Sequence, residues 1–318
     1  LDILGLREAA SRLEDWLGGR VAPMSLDKRM ADPFVLLVHH RHGFDVWDPI
    51  RPLFQAIIGL PEGFPAHPHR GFETVTMTMQ GGFRHRDSMG VKQVYSDGQV
   101  QWLTAGRGML HEEMWHWAGK DSFSRGECEV YQLWLNLPSQ RGMEQPSTAV
   151  LDPPVRTVAP GVEVRRLGGG ASSPDFIGEA APPPSDMDSR VQFGGGPEDR
   201  SVGPSLARDD VALLQVKLAP GSRLDLPLPA AATTLLYVRR GSVNVGGEHL
   251  PQHHLAYTRR EGNTLTMAVE AGERDADVLV LAGIPLQQPV ASSGTWVVGS
   301  QAELQKADAD YAAGRFGI

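Results

Sequence analysis

Runs of alternating apolar and polar residues, separated by glycine-rich turns, extend over most of the first half of the chain. Alternation with a period of two is typical of strands that bury one face. Gly81-Gly82 and Asp97-Gly98 supply tight turns between the runs. The pattern predicts strands at 34–39, 72–79, 93–96, 100–104, 109–115 and 129–137.

The second half of the chain repeats this pattern. The chain is rich in turn-forming residues, with 36 glycines and 24 prolines among its 318 residues, which favours a barrel or a sandwich. Strands are predicted at 211–218, 223–228, 233–239, 242–245, 253–258, 264–270 and 277–282. We therefore predict an all-β fold with two domains of similar architecture.

An irregular stretch separates the two domains. Residues 168–205 combine glycine triplets with a proline triplet and show no periodicity, which is typical of a connecting segment. We assign residues 1–150 to an N-terminal domain, 151–205 to a linker with irregular loops, and 206–318 to a C-terminal domain.

Short helices are predicted near both ends. Residues 1–17 form an amphipathic pattern that suits a helix packed on the barrel. Residues 300–315 form a second helical pattern, in which Ser300 and Glu303 have the spacing of a capping box. Gly314 supplies the C-terminal stop of that helix.

Charge and cysteine content narrow the classes of function. The net charge of −8 and the absence of a basic stripe argue against nucleic-acid binding. No run of about 18 apolar residues occurs, so we expect no transmembrane helix. The single cysteine, Cys128, lies between two glutamates in a strand-like run and suits a buried core thiol. These features are typical of a cytoplasmic protein.

Two short patterns carry the chemistry. His67 and His69 are two positions apart, as are His111 and Glu113, and side chains at i and i+2 of a strand point to the same face. If both strands line one barrel, three imidazoles and one carboxylate converge, whereas Glu112 points away. This donor set suits one divalent ion among Fe, Mn, Ni, Cu, Co and Zn. A six-coordinate ion would keep two open positions, as catalytic sites do.

At these residues the sequence resembles the pirin family of bicupins, and the resemblance covers most of the chain. The matching motifs of the first half are His67-Pro68-His69-Arg70-Gly71-Phe72-Glu73-Thr74-Val75, His85-Arg86-Asp87-Ser88, Gln101-Trp102-Leu103-Thr104-Ala105-Gly106-Arg107-Gly108-Met109-Leu110-His111-Glu112-Glu113-Met114 and Gln132-Leu133-Trp134-Leu135-Asn136-Leu137-Pro138. Those of the second half are Gly283-Ile284-Pro285, Pro289-Val290, Asp310-Tyr311 and Gly314-Arg315-Phe316-Gly317.

The resemblance implies two stacked cupin (jelly-roll) β-barrels with short terminal helices. It implies one metal ion, typically iron, in the N-terminal barrel, with His67, His69, His111 and Glu113 as ligands. The C-terminal barrel has no pair of histidines at i and i+2, so we expect no metal there.

Several residues near the motifs stay open to interpretation. Glu73 follows His69 by four positions and, in a continuous strand, would share its face and support the ligands. Residues Val75, Met77 and Trp102 are candidates for the apolar wall of the pocket. The histidines His39, His40 and His42 suit either a second metal site or a partly exposed cluster without function, and the latter is favoured.

Two functions follow from the resemblance. The first is a dioxygenase of the quercetin 2,3-dioxygenase type, in which a flavonol and O₂ are the substrates and Glu113 serves as ligand and general base. The second is a non-enzymatic, redox-sensitive regulator that acts through protein partners. A purely structural metal is the least favoured interpretation, because a closed cysteine-rich site is absent from the sequence. We expect a monomer.

Overall fold

The computed structural model describes residues 19–44, 63–116, 126–169, 192–193, 208, 210–229, 231–258, 262–270 and 272–316. The strands within these residues form two β-barrels, each built from a larger and a smaller antiparallel sheet. The first half of the chain forms one barrel and the second half forms the other. The predicted all-β fold with two barrels is therefore confirmed.

The first barrel contains a seven-stranded and a four-stranded sheet. The larger sheet consists, in spatial order, of β1 (Gly19–Ser25), β2 (Phe34–Phe44), β9 (Gly126–Asn136), β4 (Phe72–Gln80), β7 (Val100–Thr104), β10 (Ser147–Leu151) and β13 (Gln192–Phe193). The smaller sheet consists of β3 (Gly63–His69), β8 (Met109–His116), β5 (Gly82–Asp87) and β6 (Lys92–Ser96).

The second barrel contains a six-stranded and a four-stranded sheet. The larger sheet consists, in spatial order, of β11 (Val155–Ala159), β12 (Val162–Gly168), β14 (Val211–Leu218), β21 (Ala276–Gly283), β16 (Thr233–Arg240) and β19 (Leu255–Tyr257). The smaller sheet consists of β15 (Arg223–Pro227), β20 (Thr264–Ala268), β17 (Ser242–Val245) and β18 (Glu248–Pro251). A separate hairpin of β22 (Ala291–Ser293) and β23 (Trp296–Val298) follows.

The larger sheets of the two barrels pack against each other through a shared apolar core. Val75, Met77 and Trp102 of the first barrel belong to the same buried cluster as Leu213 and Leu281 of the second. The seven-stranded sheet is therefore buried on both faces, one toward the second barrel and one toward the interior of its own barrel. Because alternate residues of a strand point to opposite faces, this burial decides which side chains can reach the interior.

Part of the predicted linker belongs to the second barrel. Residues 155–168 form β11 and β12, and β12 pairs with β14 in the six-stranded sheet, so the assignment of 151–205 to irregular loops is wrong for this part. Val162 and Val164 are buried at a spacing of two, which is the apolar pattern of a strand. Residues 170–191 and 194–207 of the predicted linker lie outside the described residues.

The predicted C-terminal helix is confirmed as α1 (Gln301–Ala312). The Ser300 hydroxyl accepts a hydrogen bond from the Glu303 amide at 3.3 Å, which is the N-cap half of the predicted capping box. The Glu303 carboxylate accepts from the Ser300 hydroxyl at 3.1 Å. Gly314 has a φ of +68° just beyond the helix, a conformation that favours glycine. The predicted helix at 1–17 lies outside the described residues.

Strand β19 begins later than the sequence pattern predicted. The prediction placed its start at His253, but this residue has a φ of +62° and lies in the turn before the strand. Its backbone amide donates to the Val238 carbonyl, so the chain closes a turn at this point and only then enters β19. No helix within the described residues has both the length and the apolar character needed to cross a membrane.

Candidate metal centre

The predicted ligands lie on neighbouring strands of the four-stranded sheet of the first barrel. His67 of β3 stands opposite His111 of β8, and Glu113 of β8 stands opposite His85 of β5. Burial alternates along β8, so that His111 and Glu113 point inward. Glu112 points outward and forms an ion pair with Arg86, as the spacing predicted. Three adjacent strands thus present polar side chains to one interior surface.

Three imidazoles converge at the inner end of this surface. The Nε2 atom of His67 lies 3.1 Å from Nε2 of His69 and 2.9 Å from Nε2 of His111. The Nδ1 atom of His67 lies 2.8 Å from the Pro65 carbonyl oxygen, which can only accept, so Nδ1 carries the proton and Nε2 presents a lone pair. The three ligand atoms all lie within 4.8 Å of one another.

This arrangement suits a metal ion better than it suits imidazoles alone. Lone pairs that face one another at about 3 Å repel unless a proton or a cation lies between them. Two nitrogen ligands at about 2.1 Å from one ion, and at right angles to each other, lie about 3.0 Å apart. The observed Nε2 to Nε2 distances of 2.9 and 3.1 Å match that spacing. The donor set therefore fits a divalent metal ion.

Burial keeps two of these imidazoles neutral. Burial, aided by the neighbouring His67, lowers the pKa of His69 from 6.5 to about 3. Burial also holds the pKa of His111 well below its ordinary value, and the nearby histidines act in the same direction. Neutral imidazole is the form that binds metals, so protons do not compete at these two residues near neutral pH.

Glu113 is held by two hydrogen bonds on the inward face. The Tyr95 hydroxyl donates to its Oε1 atom at 2.7 Å, and the Gln132 amide donates to its Oε2 atom at 3.1 Å. Its carboxylate forms a second group of potential ligands with His85 and His111, again within 4.8 Å. In the described part of the chain, the four predicted ligands therefore do not fall in a single group: His67, His69 and His111 form one, and Glu113 joins His111 and His85 in the other.

His85 is the site residue that the sequence patterns missed. It is buried, and its Nε2 atom lies 3.0 Å from Asp87 Oδ2, which also accepts a hydrogen bond from the Thr148 hydroxyl. His85 and Asp87 have the same i and i+2 spacing as the two ligand patterns, so the signal was present in the sequence. Tyr95 and Gln132 come from other strands and have no such local signal.

The wall of the site differs from the predicted one. Val75 and Met77 of β4 and Trp102 of β7 belong to the core shared by the two barrels, so they point away from the site. The interior wall beside the imidazoles is instead formed by Phe72 and Trp134, whose rings lie 5.0 and 5.6 Å from the ring of His69. Trp134, Gln132 and His67 are only partly buried, so they mark the side from which the site is accessible.

Glu73 does not support the ligands. Strand β3 ends at His69, and the chain enters the other sheet through Gly71, which has a φ of +87°, so the assumption of one continuous strand face is wrong. The fully buried Glu73 carboxylate accepts hydrogen bonds from Arg208 at 2.6 Å and from the Thr104 hydroxyl at 3.0 Å. It therefore joins the segment before β14 of the second barrel to the first barrel.

The expectation of a partly exposed histidine cluster is wrong for His39 and His40, which are 0% and 2% exposed. They point to opposite faces of β2, so they do not form one cluster. His39 lies between the barrels, where its Nδ1 and Nε2 atoms lie 2.8 Å from the Tyr237 hydroxyl and 3.0 Å from the Tyr131 hydroxyl. His40 packs inside the first barrel against Trp115. The side chain of His42 lies outside the described residues.

The burial of His40 predicts acid sensitivity. Burial, aided by His39, lowers its pKa from 6.5 to about 3, so below pH 6.5 the unfolded chain binds a proton that the folded chain does not. The free energy of unfolding should therefore fall with decreasing pH, by about 1.4 kcal/mol per pH unit from this residue. Denaturant titrations at a series of pH values, on chelator-treated protein, measure this dependence. Between about pH 6 and pH 4, the free energy of unfolding of His40→Gln should fall less steeply with decreasing pH than that of the wild type, by about 1.4 kcal/mol per pH unit. Equal slopes in that range would contradict the assignment.

Cys128 and the interior of the second barrel lie away from the donor cluster. Cys128 is fully buried, as predicted, and burial together with the charges of Asp97 and Glu129 raises the pKa of its thiol far above its usual value. The interior of the second barrel is filled by apolar side chains such as Leu236, Val238 and Met267.

The fold and the buried donor cluster define the class of protein: two stacked cupin barrels with a metal-type site in the N-terminal one. A family model described as Pirin matches residues 20–135, and one described as the Pirin C-terminal cupin domain matches residues 213–317. The chain belongs to the pirin family, which confirms the resemblance seen in the sequence.

Individual relatives agree with this assignment. Pirin-1 of Arabidopsis thaliana is 31% identical over 293 residues, covering 90% of this chain and 84% of that protein. A protein of Pseudomonas aeruginosa, provisionally named quercetin 2,3-dioxygenase PA2418, is 34% identical over 255 residues, covering 80% of this chain and 79% of that protein. The solved structure of quercetin 2,3-dioxygenase from Acinetobacter baumannii aligns with a TM-score of 0.71 at 29% identity, covering 94% of this chain and 92% of that one.

Proposed function

We propose that the protein is a metal-dependent dioxygenase of the quercetin 2,3-dioxygenase type. Its ion, iron by analogy with the family, would be held by His67, His69, His111 and Glu113. The observation that carries the proposal is the convergence of three Nε2 atoms, two of them at 2.9 and 3.1 Å from the third, in a buried part of the barrel. The names of the Pseudomonas and Acinetobacter relatives support the reaction type.

The bound ion would supply Lewis-acid polarisation of substrate oxygens and an open position for O₂. The protein must then accept the proton of the substrate hydroxyl. Glu113 is the group for this step: the substrate O–H bond breaks, and the proton moves to a Glu113 carboxylate oxygen. Tyr95 and Gln132 hold the two oxygens of Glu113 at 2.7 and 3.1 Å and so fix its direction.

The wall of the site favours a flat, aromatic substrate. The partly exposed ring of Trp134 lies 4.5 Å from the buried ring of Phe72 and 5.6 Å from the ring of His69, so Trp134 offers an apolar surface beside the imidazoles. The indole N–H of Trp134 donates to the Gln132 side chain at 3.0 Å, which fixes the orientation of both residues. An aromatic ring that enters past Trp134 can stack on this surface, with its polar edge toward the imidazoles.

The test is metal content, followed by oxygen uptake with quercetin, on the wild type and two matched variants. We expect about one iron ion per chain in iron-loaded wild type and oxygen uptake that depends on quercetin. Glu113→Gln removes the proton acceptor and should lower turnover at least about 100-fold. Glu112→Gln changes the same group on the outer face of β8 and should leave turnover within about twofold of wild type, since surface changes at a distance are usually small.

Metal-loaded wild type that consumes no oxygen with quercetin would contradict the proposed reaction. That outcome would favour the redox-sensitive regulator, and the next measurement would be the capture of partners by the Fe²⁺ and Fe³⁺ forms. Equal loss of turnover in both glutamate variants would show that Glu113 has no particular role. Absence of any bound metal in the loaded wild type would contradict the metal centre itself.

A further inference from the structure

The C-terminal end of the chain packs against the first barrel beside the candidate ligands. We use the name C-terminal clamp for residues 291–316, which comprise β22, β23, α1 and the segment through Phe316. Arg70, the residue after His69, forms a parallel bridge with Trp296, and its carbonyl accepts a hydrogen bond from the Val297 amide at 3.1 Å. The clamp thus pairs with the backbone at Arg70, directly after His69 at the end of β3.

The side chain of Arg70 joins three parts of the molecule. Its Nε donates to the Arg107 carbonyl at 2.6 Å, just before β8 begins. Its Nη1 donates to Asp310 of α1 at 2.7 Å, and its guanidinium carbon lies 4.5 Å from the centre of the Phe316 ring. Arg70 is 5% exposed, so these contacts are made away from solvent. One side chain therefore links the end of β3, the start of β8 and the clamp.

Asp310 is the centre of charge in this contact. Its other partners are Lys306, at 2.7 Å, and Arg315, at 3.0 Å, both largely exposed side chains. Hydrogen bonds from Lys306 and Arg70 hold the pKa of Asp310 well below its usual value, so the carboxylate is charged near neutral pH. A charged pair between Arg70 and Asp310 that is largely buried is sensitive to the loss of either partner.

Close packing surrounds the charged contact. A Cβ added at Gly108, the residue before β8, would lie 2.6 Å from the Phe316 ring, so the ring touches the backbone there. Phe316, Trp296 and Leu304 form a buried apolar cluster that also packs against Leu110, the neighbour of His111. The clamp therefore contacts the chain next to His69 and next to His111, which lie on different strands.

We propose that the C-terminal clamp holds the end of β3 and the start of β8, which pair at His69 and Met109, in the arrangement in which His69 and His111 bind the metal ion, with Arg70 and Asp310 as positioning residues of that centre. This inference rests on the metal centre put forward above. The three Nε2 atoms can share one ion only if they converge on one point, so the surrounding structure must hold their strands in place before the ion binds. Partners behind metal ligands typically change metal affinity by about 10- to 100-fold when they are removed.

The experiment measures Co²⁺ affinity of the full chain by competition with a chelator, together with the visible absorption of the bound Co²⁺. Asp310→Asn removes the charge but keeps the shape of the side chain, and it should weaken Co²⁺ binding about 10- to 100-fold and alter the Co²⁺ absorption bands. Lys306→Gln is the matched control, because it removes an exposed partner of the same carboxylate without touching Arg70. It should bind Co²⁺ like the wild type.

A second variant and a folding measurement distinguish loss of positioning from a folding defect. Phe316→Ala removes the ring from Arg70 and Gly108 but leaves the ion pair, and far-UV circular dichroism of both variants checks that the barrels are intact. Folded Asp310→Asn and Phe316→Ala proteins with wild-type Co²⁺ affinity and absorption would overturn the positioning role while leaving the metal centre in place. A folded wild type that binds no Co²⁺ would overturn the metal centre, and this inference with it.

Discussion

The His69→Ala variant should be purified almost free of metal and should show no turnover with quercetin. His69 is 1% exposed, and its Nε2 lies 3.1 Å from that of His67, so the substitution removes one of the three converging imidazoles. The two remaining imidazoles and a carboxylate would bind a divalent ion far more weakly, since each ligand contributes to holding the ion in a fixed geometry. Metal analysis after loading and dialysis, followed by oxygen uptake, measures both effects.

The matched control is His249→Ala, which changes an exposed histidine of the second barrel. This variant should keep about one ion per chain and wild-type turnover, because surface substitutions usually have small effects. Circular dichroism separates loss of metal from loss of fold. Turnover that persists in a metal-free His69→Ala sample would rule out a mechanism based on a metal ion at this site.

Replacement of Arg208 by methionine should destabilise the whole protein. Arg208 is 1% exposed and donates to the fully buried Glu73 carboxylate at 2.6 Å and to the Asn136 carbonyl at 3.2 Å. Without it, Glu73 keeps the Thr104 hydroxyl and a distant Arg141 at 3.5 Å. Removal of one partner from a buried ion pair leaves an uncompensated charge and costs about 3–5 kcal/mol of the free energy of unfolding. Chemical denaturation of chelator-treated protein measures this loss.

An exposed ion pair supplies the control for Arg208. Arg223 and Asp225 lie 3.0 Å apart, but their side chains are 62% and 51% exposed. Arg223→Met should therefore change the free energy of unfolding by less than about 1 kcal/mol. A loss of similarly small size in Arg208→Met would show that the contact between Glu73 and Arg208 is not a structural tie between the barrels.

Local patterns were sufficient to predict the main elements of the fold. Strands β14 and β17 fall on the predicted residues, because their apolar runs end at glycine turns or charged residues. Helix α1 was predictable because its capping signal lies within four residues of sequence. The same holds for the paired positions on β3 and β8, where the i and i+2 spacing alone places each pair of side chains on one face.

The direction in which a side chain points could not be predicted where a strand is buried on both sides. In β4, Val75 and Thr76 are both fully buried, so the polarity pattern does not tell which of them points to the site. The apolar residue faces the other barrel, and the threonine faces the interior, which is the reverse of what a simple search for an apolar pocket assumes. Only the packing of one barrel on the other decides this.

Contacts between residues far apart in the sequence could not be predicted from local sequence patterns. Glu73 and Arg208 are 135 positions apart, and His39 and Tyr237 are 198 apart. Sequence position gives no indication that these side chains meet, since the pairing depends on how the two barrels are stacked. Tyr95 and Gln132 beside Glu113 belong to the same category, because each reaches the site from its own strand.

The shared core makes a substitution in one barrel a change in the packing of the other. Trp102 of the first barrel presses on Gly168 of the second, where an added Cβ would lie 2.4 Å from the indole ring. A side chain at position 168 would therefore force the indole of Trp102 to move, although the two residues belong to different barrels. A substitution on the face that the second barrel turns toward the first is thus felt inside the first barrel as well.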